Sequence, residues 1–518
     1  MLAGKIGEWA DYHHGETSMC GAISGLGRMV KFTNNFGGLL PQGQCGSPHM
    51  SADRATASPR YLEMTVMSAI VNGWLAFKSD MPTLPKRVTE SSDSVPLCFA
   101  PPVPGVLVNG CAAGIGSGFS SFIPPYNLPS LAVATGKMLA LLGLDDDEGG
   151  PPPAEHDDRV ALAEARDEAL RVHMEQPSTE GLVLPVGSPV WEAFRGEVDE
   201  FLPHWEDFTG RVIKDPETGT IRAYGTYTLS QPTAKNDVVM TVTELAPGST
   251  TSPWAGWVEG VLRIGCNPAE WYKEQGKKPP KTFPHAFVRR VTNTSAGRVT
   301  HIELMLDGTA CARYMKDPVN PLTGYHDRLV QALDLSVSVP LTNMHIITPD
   351  NKIVKYDALS DAFIHYAPHK LRSLRDRKAH TLDRLPRGIA KENAKMKYLS
   401  GIADGTITLF RRKRAEVVTD LARLGFPYDD YVDGTQPEPQ SGTATFKYLL
   451  NLRTTAFLGD DDEVTEGMAK MTKHRDALQL QLGTLRETSL LALWKQDLEE
   501  LQRAHADYLV QRGKETPE

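Results

Sequence analysis

Six cysteines in 518 residues, at positions 20, 45, 98, 111, 266 and 311, form no CxxC or paired His/Cys pattern. That spacing excludes a structural zinc set of the usual kind and points to a reducing, intracellular setting. No run of about eighteen apolar residues occurs, so no membrane span is expected. The start, Met1-Leu2-Ala3-Gly4-Lys5, lacks the apolar core of a secretory signal. The glycine run Gly114-Ile115-Gly116-Ser117-Gly118 is not followed by Gly-Lys-Ser/Thr, which excludes a P-loop. No segment reads as an acidic Mg²⁺ triad, and no internal repeat is present. Excess basic charge is missing too: the net charge is −9, whereas a nucleic-acid surface must be locally basic. Charge is segregated, however. Acid gathers at Asp145–Glu148, Asp157-Asp158 and Asp460–Glu463, and base at Lys370–Arg387 and Arg411–Arg414. A basic groove is compatible with that distribution.

What is present is an ordinary globular composition, 41% hydrophobic and 23% charged, on a chain long enough for about two to four domains. Residues 1–127 are rich in Gly, Ser and Pro and read as short helices and strands. Leu128–Leu144 has an amphipathic helical pattern, and an acidic, Pro/Gly-rich loop follows at about 145–160. Residues 181–335 alternate β-rich runs with turns, notably Thr220–Tyr227, Val238–Val242 and Val299–Leu304. Helical spacing then takes over. Leu371, Leu374, Lys378, Leu382 and Leu385 share one seam, and Leu491, Trp494, Leu498, Leu501, His505 and Tyr508 share another. Two seams so far apart are expected to pair antiparallel around the helical region at about 400–460. Pro386 is expected to end or kink the first helix. The basic run Lys370–Arg387 reads by default as a solvated helix face.

Three segments within residues 12–61 carry chemistry: Tyr12-His13-His14-Gly15-Glu16, Gly37–Gly46 and Ser58-Pro59-Arg60-Tyr61. An isolated Arg-Tyr pair is ordinarily a surface arginine beside a half-buried tyrosine, and paired histidines ordinarily cap or pack. Together they supply a cation for a phosphate, a phenolic nucleophile and imidazole donors. The glycines between them permit close backbone approach.

These segments resemble the breakage-reunion region of type IIA DNA topoisomerases, in the form found in the eukaryotic and viral topoisomerase II branch. Pro104–Gly110, Gly114–Phe119 and Ile123–Asn127 continue the resemblance. Weaker echoes lie at Thr342-Asn343-Met344, Arg377-Lys378, Phe446–Leu450 and Leu493–Leu498. The resemblance implies an α+β multidomain fold. Residues 1–127 would form a winged-helix DNA-gate domain and 128–335 a tower-like α+β domain. Residues 336–512 would form a long antiparallel coiled coil with a helical dimer gate, before a tail at 513–518. It implies Tyr61 as the nucleophile of a 5′-phosphotyrosyl link. Arg60 would hold the scissile phosphate, and His14, supported by His13, would donate to it or help take the phenol proton. A phenol with a pKa of about 10 needs such help at neutral pH. Arg54, Gln44 and Asn109 would face DNA, and Ile115 would wedge between base pairs. The implied partners are double-stranded DNA, a second copy of the chain, and a TOPRIM/ATPase subunit or N-terminal region holding Mg²⁺ and ATP. No metal ligand is expected in this chain. The implied setting is a nucleus or a viral replication site.

The sequence departs from the family pattern in three places. Gly46-Ser47-Pro48 lacks an arginine after the glycine. The stretch Gly43–Tyr61 is one residue longer, and Gly110–Gly114 also has one extra residue. Because the TOPRIM and ATPase regions that the resemblance implies are not in the sequence, the chain is expected to be a breakage-reunion subunit or a piece of a longer polypeptide. The competing expectation is a DNA-binding or scaffolding dimer that kept the fold without the chemistry; a coiled-coil interaction protein without DNA function is a third.

Overall fold

The computed structural model describes all residues except 1, 11, 76, 89–93, 117, 143–155, 176–188, 453–462 and 516–518. Most of the acidic loop expected at about 145–160, the acid run at 460–462 and the last residues of the tail therefore lie outside the described residues. The architecture is the α+β one expected, with many helices and, among the described residues, six small sheets. No described helix is long and apolar enough to cross a membrane. The chain forms two compact units. One comprises residues 1–143, 175–370 and 495–518, and the other residues 144–174 and 371–494.

In the first unit one core is built on a sheet ordered Val288–Asn293, Ile302–Asp307, Asp237–Glu244, Thr226–Leu229. Alternate residues of Asp237–Glu244 are buried, so Val238, Met240 and Val242 point into one core with Ile302, Leu304 and Leu306. Trp254 closes that core and donates its indole N–H to the Leu333 carbonyl at 2.8 Å. The β-rich run Thr220–Tyr227 is divided rather than continuous. Ile221–Tyr224 joins Arg211–Lys214 and Ser336–Val339, whereas Thr226–Leu229 joins the four-stranded sheet. Gly225 is the switch. Its N–H goes to Leu335 O at 2.8 Å, and a Cβ there would lie 2.4 Å from Glu244 O, so only glycine fits the crossing.

The helix read from 128 runs Leu128–Leu141, and Asn127 caps it by accepting from Ser130 N at 3.1 Å. The last helix, Leu490–Glu515, is tied to the N-terminal region through Arg512, which is only 2% exposed. Its guanidinium donates to Val30 O at 2.9 Å, Thr33 O at 3.2 Å and Asp207 at 2.8 Å.

In the second unit Leu359–Ala403 runs antiparallel to Glu463–Glu487, a helix outside both expected seams, whereas the second seam lies on Leu490–Glu515. Thr472 bonds to Met396 Sδ at 3.3 Å, His474 lies 3.5 Å from Glu392, and Leu478 packs where a Gly388 side chain would project. Leu371, Leu374, Leu385, Leu491 and Trp494 are all buried. Pro386 does not end the first helix, which continues from Leu359 to Ala403. One lost N–H does not terminate a helix whose neighbouring Leu385 and Arg387 are held by burial and hydrogen bonds. Nor is Lys370–Arg387 a uniformly solvated face. Lys370, Arg377, Lys378 and Arg387 are buried. Lys378 pairs with Asp167 at 2.5 Å, and Arg387 with Asp383 at 2.8 Å.

The sequence reading also missed a third helix, His156–Ala169. Its Asp167 accepts from Leu490 N at 2.7 Å and so caps the last helix, while Arg159 pairs with Glu487 at 2.9 Å. Ala394, Tyr398, Ile407, Val417, Leu421, Phe426, Phe446 and Leu449 form the core of the helical region between the seams.

Candidate nucleic-acid cleavage site

Tyr61 sits where a short ribbon turns back on itself. Leu39–Gln42 pairs antiparallel with Glu63–Val66, with Gln42 opposite Glu63. Beyond the ribbon the two connecting segments stay zipped. Ala57 N donates to Gln44 O at 2.9 Å, Gly46 N donates to Ala55 O at 3.2 Å, and Cys45 bridges Thr56. Beyond these rungs lies the turn Ser47–Arg54. That turn is anchored through His49, which contacts Thr251 Oγ1 at 2.9 Å and Gly297 O at 3.0 Å.

Pro59-Arg60-Tyr61 forms a single 3₁₀ turn, with proline's fixed φ at its first position. Gly43 lies directly beneath it. Its φ is +100°, and a Cβ there would meet Tyr61 O at 2.7 Å. The turn therefore rests on bare backbone. Its side chains point outward: Tyr61 is 65% exposed, and the Arg60 guanidinium lies 4.9 Å from the Tyr61 ring centroid. A phenol this exposed contributes little to a core. It is available, with a cation beside it, to an anionic ligand.

His13 and His14 are both exposed just before the helix Glu16–Gly27, and His14 meets Tyr12 edge-on at 5.3 Å. Arg60 and Tyr61 are thus brought together, whereas the ring contact of His14 is with Tyr12. Arg54 is exposed at the end of the helix Ala52–Ala55. Gln44 is exposed, and its Nε2 donates to Gly46 O at 2.5 Å within its own loop. Asn109 Oδ1 accepts from Phe36 N at 2.9 Å and so fixes the segment leading into the ribbon. Burial pushes the nearby Cys45 thiol up, against the downward pull of Arg28.

Ile115 is 93% exposed, an extreme value for isoleucine. It lies near the tip of the hairpin Cys111–Gly116/Phe119–Ile123, opposite Ser120. The first strand of this hairpin carries a bulge before Gly114. Cys111 pairs with Ile123 and Gly114 with Ser121, so Ala112 and Ala113 together oppose Phe122. Beyond the bulge Ile115 points outward.

Residues that sequence reasoning missed support this arrangement. Asn35 Nδ2 donates to Gly25 O at 2.7 Å and Arg28 O at 3.0 Å, gluing the helix end to the ribbon. Asn34 bonds His204 O at 2.9 Å and accepts from Glu206 N at 2.9 Å. Lys31 reaches the buried Glu244 at 2.7 Å. The only signal for these was the Asn34-Asn35 pair, whose partners lie far away in sequence. Among the described residues no group of three or more His, Cys, Asp or Glu side chains converges as a metal set.

Residues 1–141 match the family described as the A subunit of DNA gyrase/topoisomerase IV. DNA topoisomerase 2 of Saccharomyces cerevisiae is 22% identical over 98% of this chain and 31% of its own length. The Acanthamoeba polyphaga mimivirus DNA topoisomerase 2 is 24% identical over 97% of the chain and 36% of its own length. The Bombyx mori protein of that name is 36% identical over 139 residues, 27% of this chain and 9% of its own. The chain therefore spans about a third of the length of the first two. Its fold matches the crystal structure of the Plasmodium falciparum topoisomerase II DNA-binding, cleavage and re-ligation domain. The TM-score is 0.70 at 20% identity, over 99% of this chain and 58% of that one.

Proposed function

We propose, for a chain whose residues 1–141 match the family of the DNA gyrase/topoisomerase IV A subunit and whose whole length resembles topoisomerase 2, that it is the DNA cleavage and religation core of an ATP-dependent type IIA topoisomerase. The observation that carries this reading is the exposed Arg60–Tyr61 pair, held on the 3₁₀ turn over Gly43.

Tyr61 Oη attacks the scissile phosphorus. A phosphorus–oxygen bond to the phenol forms as the bond to the 3′ oxygen breaks, and the strand is left joined through its 5′ phosphate. No water enters, so attack by the 3′ oxygen reverses the step and reseals the strand. Arg60 neutralises charge on the phosphate in the transition state. His14, with His13 behind it, serves the phosphate or takes the phenol proton. Arg54 and Gln44 line the approach, and Asn109 holds the segment that leads to it. Ile115 wedges into the duplex and bends it. Residues 1–127 act as the winged-helix gate, 128–335 as the tower beneath the bent duplex, and 336–512 as the stalk and dimer gate. Two copies cut opposite strands and pass a second duplex between them. Mg²⁺ and ATP belong to a TOPRIM and ATPase region on another part of the protein or on a partner. The site of action is then nuclear or viral.

The test is adduct trapping. Material from the replicating source is denatured quickly, the DNA is digested, and the covalent remnant is mapped. A nucleotide on the Tyr61 peptide, absent in Tyr61→Phe, is expected. A Tyr61→Phe protein that still cleaves alongside the metal-domain partner would overturn the reading.

A further inference from the structure

Ile115 projects from a hairpin that has little of its own to hold it. The flanking residues are Gly114 and Gly116, with Ala112 and Ala113 in the bulge. Two contacts brace it from behind. The first is an aromatic lid. Phe119 is the cross-strand partner of Gly116, and a Cβ on Gly116 would lie 2.3 Å from the Phe119 ring. The ring thus covers the bare backbone next to Ile115, which is how an aromatic reinforces a strand glycine. The second is a hydrogen-bonded bracket. Ser121 Oγ donates to His345 O at 2.6 Å and accepts from His345 N at 3.1 Å. Phe122 N donates to Asn343 O at 2.9 Å, and Asn343 Nδ2 to Ser120 Oγ at 3.0 Å. The Phe119 ring itself lies 6.0 Å from His345.

The bracketing strand, Met344–Ile347, pairs with Ile353–Tyr356, placing buried Met344 opposite buried Tyr356. Tyr356 stacks on His365 of the long helix at 5.8 Å. A contiguous set of packed groups therefore runs from the back of Ile115 to the root of that helix.

Resting on the wedge reading above, we propose that Phe119 is the positioning residue of the wedge. Its ring, seated between Gly116 and His345, fixes the direction in which Ile115 enters the duplex. DNA bending is thereby tied to the strand pair that leads into the long helix. Phe119 touches no DNA itself and acts through Ile115.

The test uses the full chain and a duplex carrying a fluorophore pair at its ends, reading affinity and bend separately. Phe119→Ala is expected to keep duplex affinity within about two-fold and to lower the bent fraction by about five-fold, the scale of one lost aromatic contact. Phe119→Tyr is expected to restore the bend, because the ring is what matters. Ile115→Ala is expected to lose the bend outright. If Ile115→Ala bends DNA as the unaltered chain does, or the unaltered chain does not bend it, the wedge reading fails and this inference with it. If Ile115→Ala loses the bend and Phe119→Ala keeps it, the wedge stands and this inference is overturned. Joint loss of melting temperature, affinity and bend in Phe119→Ala, unrepaired by Phe119→Tyr, also overturns it, since Phe119 would then merely hold the fold.

Discussion

Replacing Gly43 with alanine tests whether bare backbone beneath Tyr61 sets the nucleophile's position. Gly43 has φ +100°, where a side chain is strained, at a cost of about 1–3 kcal/mol. The added Cβ would lie 2.7 Å from Tyr61 O, and ordinary contact begins at 3.4 Å. The carbonyl must retreat by about 0.7 Å, and Leu62 Cδ2, 3.2 Å from the same point, blocks one direction of relief. A displacement approaching 1 Å costs a positioned reaction up to about a hundred-fold. Gly43→Ala is therefore expected to lower the rate of covalent adduct formation ten- to a hundred-fold, by about that rule. The assay is adduct yield against time with the metal-domain partner supplied, with duplex affinity and melting measured in parallel. Gly219→Ala is the control. Its φ is +68° with nothing within 4 Å of the added Cβ, so it carries backbone strain without a collision. It should lose some stability and no cleavage rate. Cleavage by Gly43→Ala at the unaltered rate, or an equal loss in both variants, would refute the reasoning.

Lys370 is fully buried, 2.8 Å from Asp497 and 3.8 Å from the fully buried Asp80, and also bonds Ala100 O at 2.9 Å. Lys370→Met removes the buried cation between these carboxylates and is expected to cost about 3–5 kcal/mol in denaturant titration; a loss under about 1 kcal/mol counts against the pairing. Burial pushes the His505 imidazole below its ordinary value of 6.5, while Glu206 pulls it up and His204 depresses it further. The unfolded chain then binds the proton more readily. The stability contributed by neutral His505 is complete above 6.5 and is lost as pH falls through the lower folded value. His505→Gln should flatten the melting temperature between about pH 7.5 and pH 5, and parallel slopes in the two proteins would exclude the effect. Glu206 is held below the ordinary carboxylate value, chiefly by its bond to His204, so its own loss falls in a more acidic window.

The sequence by itself determined what depends on near neighbours. Pro59 presets the turn that exposes Arg60 and Tyr61, and the glycines of Gly37–Gly46 announce a close approach. The two helical seams were legible because one face of a helix repeats every 3.6 residues whatever it packs on. The bulge before Gly114, by contrast, is set by strand pairing.

Tertiary structure decided the rest, because those features join residues far apart along the chain. Gly43 looks like any loop glycine until Tyr61 O is found against it. Gly225 divides a uniform β run because Glu244 and Leu335 press on it. The lysines of 370–387 read as solvated until Asp497 and Asp167 arrive from distant helices. Ser121 and His345 are 224 residues apart, and neither carries a motif. Local sequence fixes backbone preference and periodicity. It does not encode which distant surface will remove a side chain from water, and that encounter is what turns an isoleucine near a hairpin tip into a braced one.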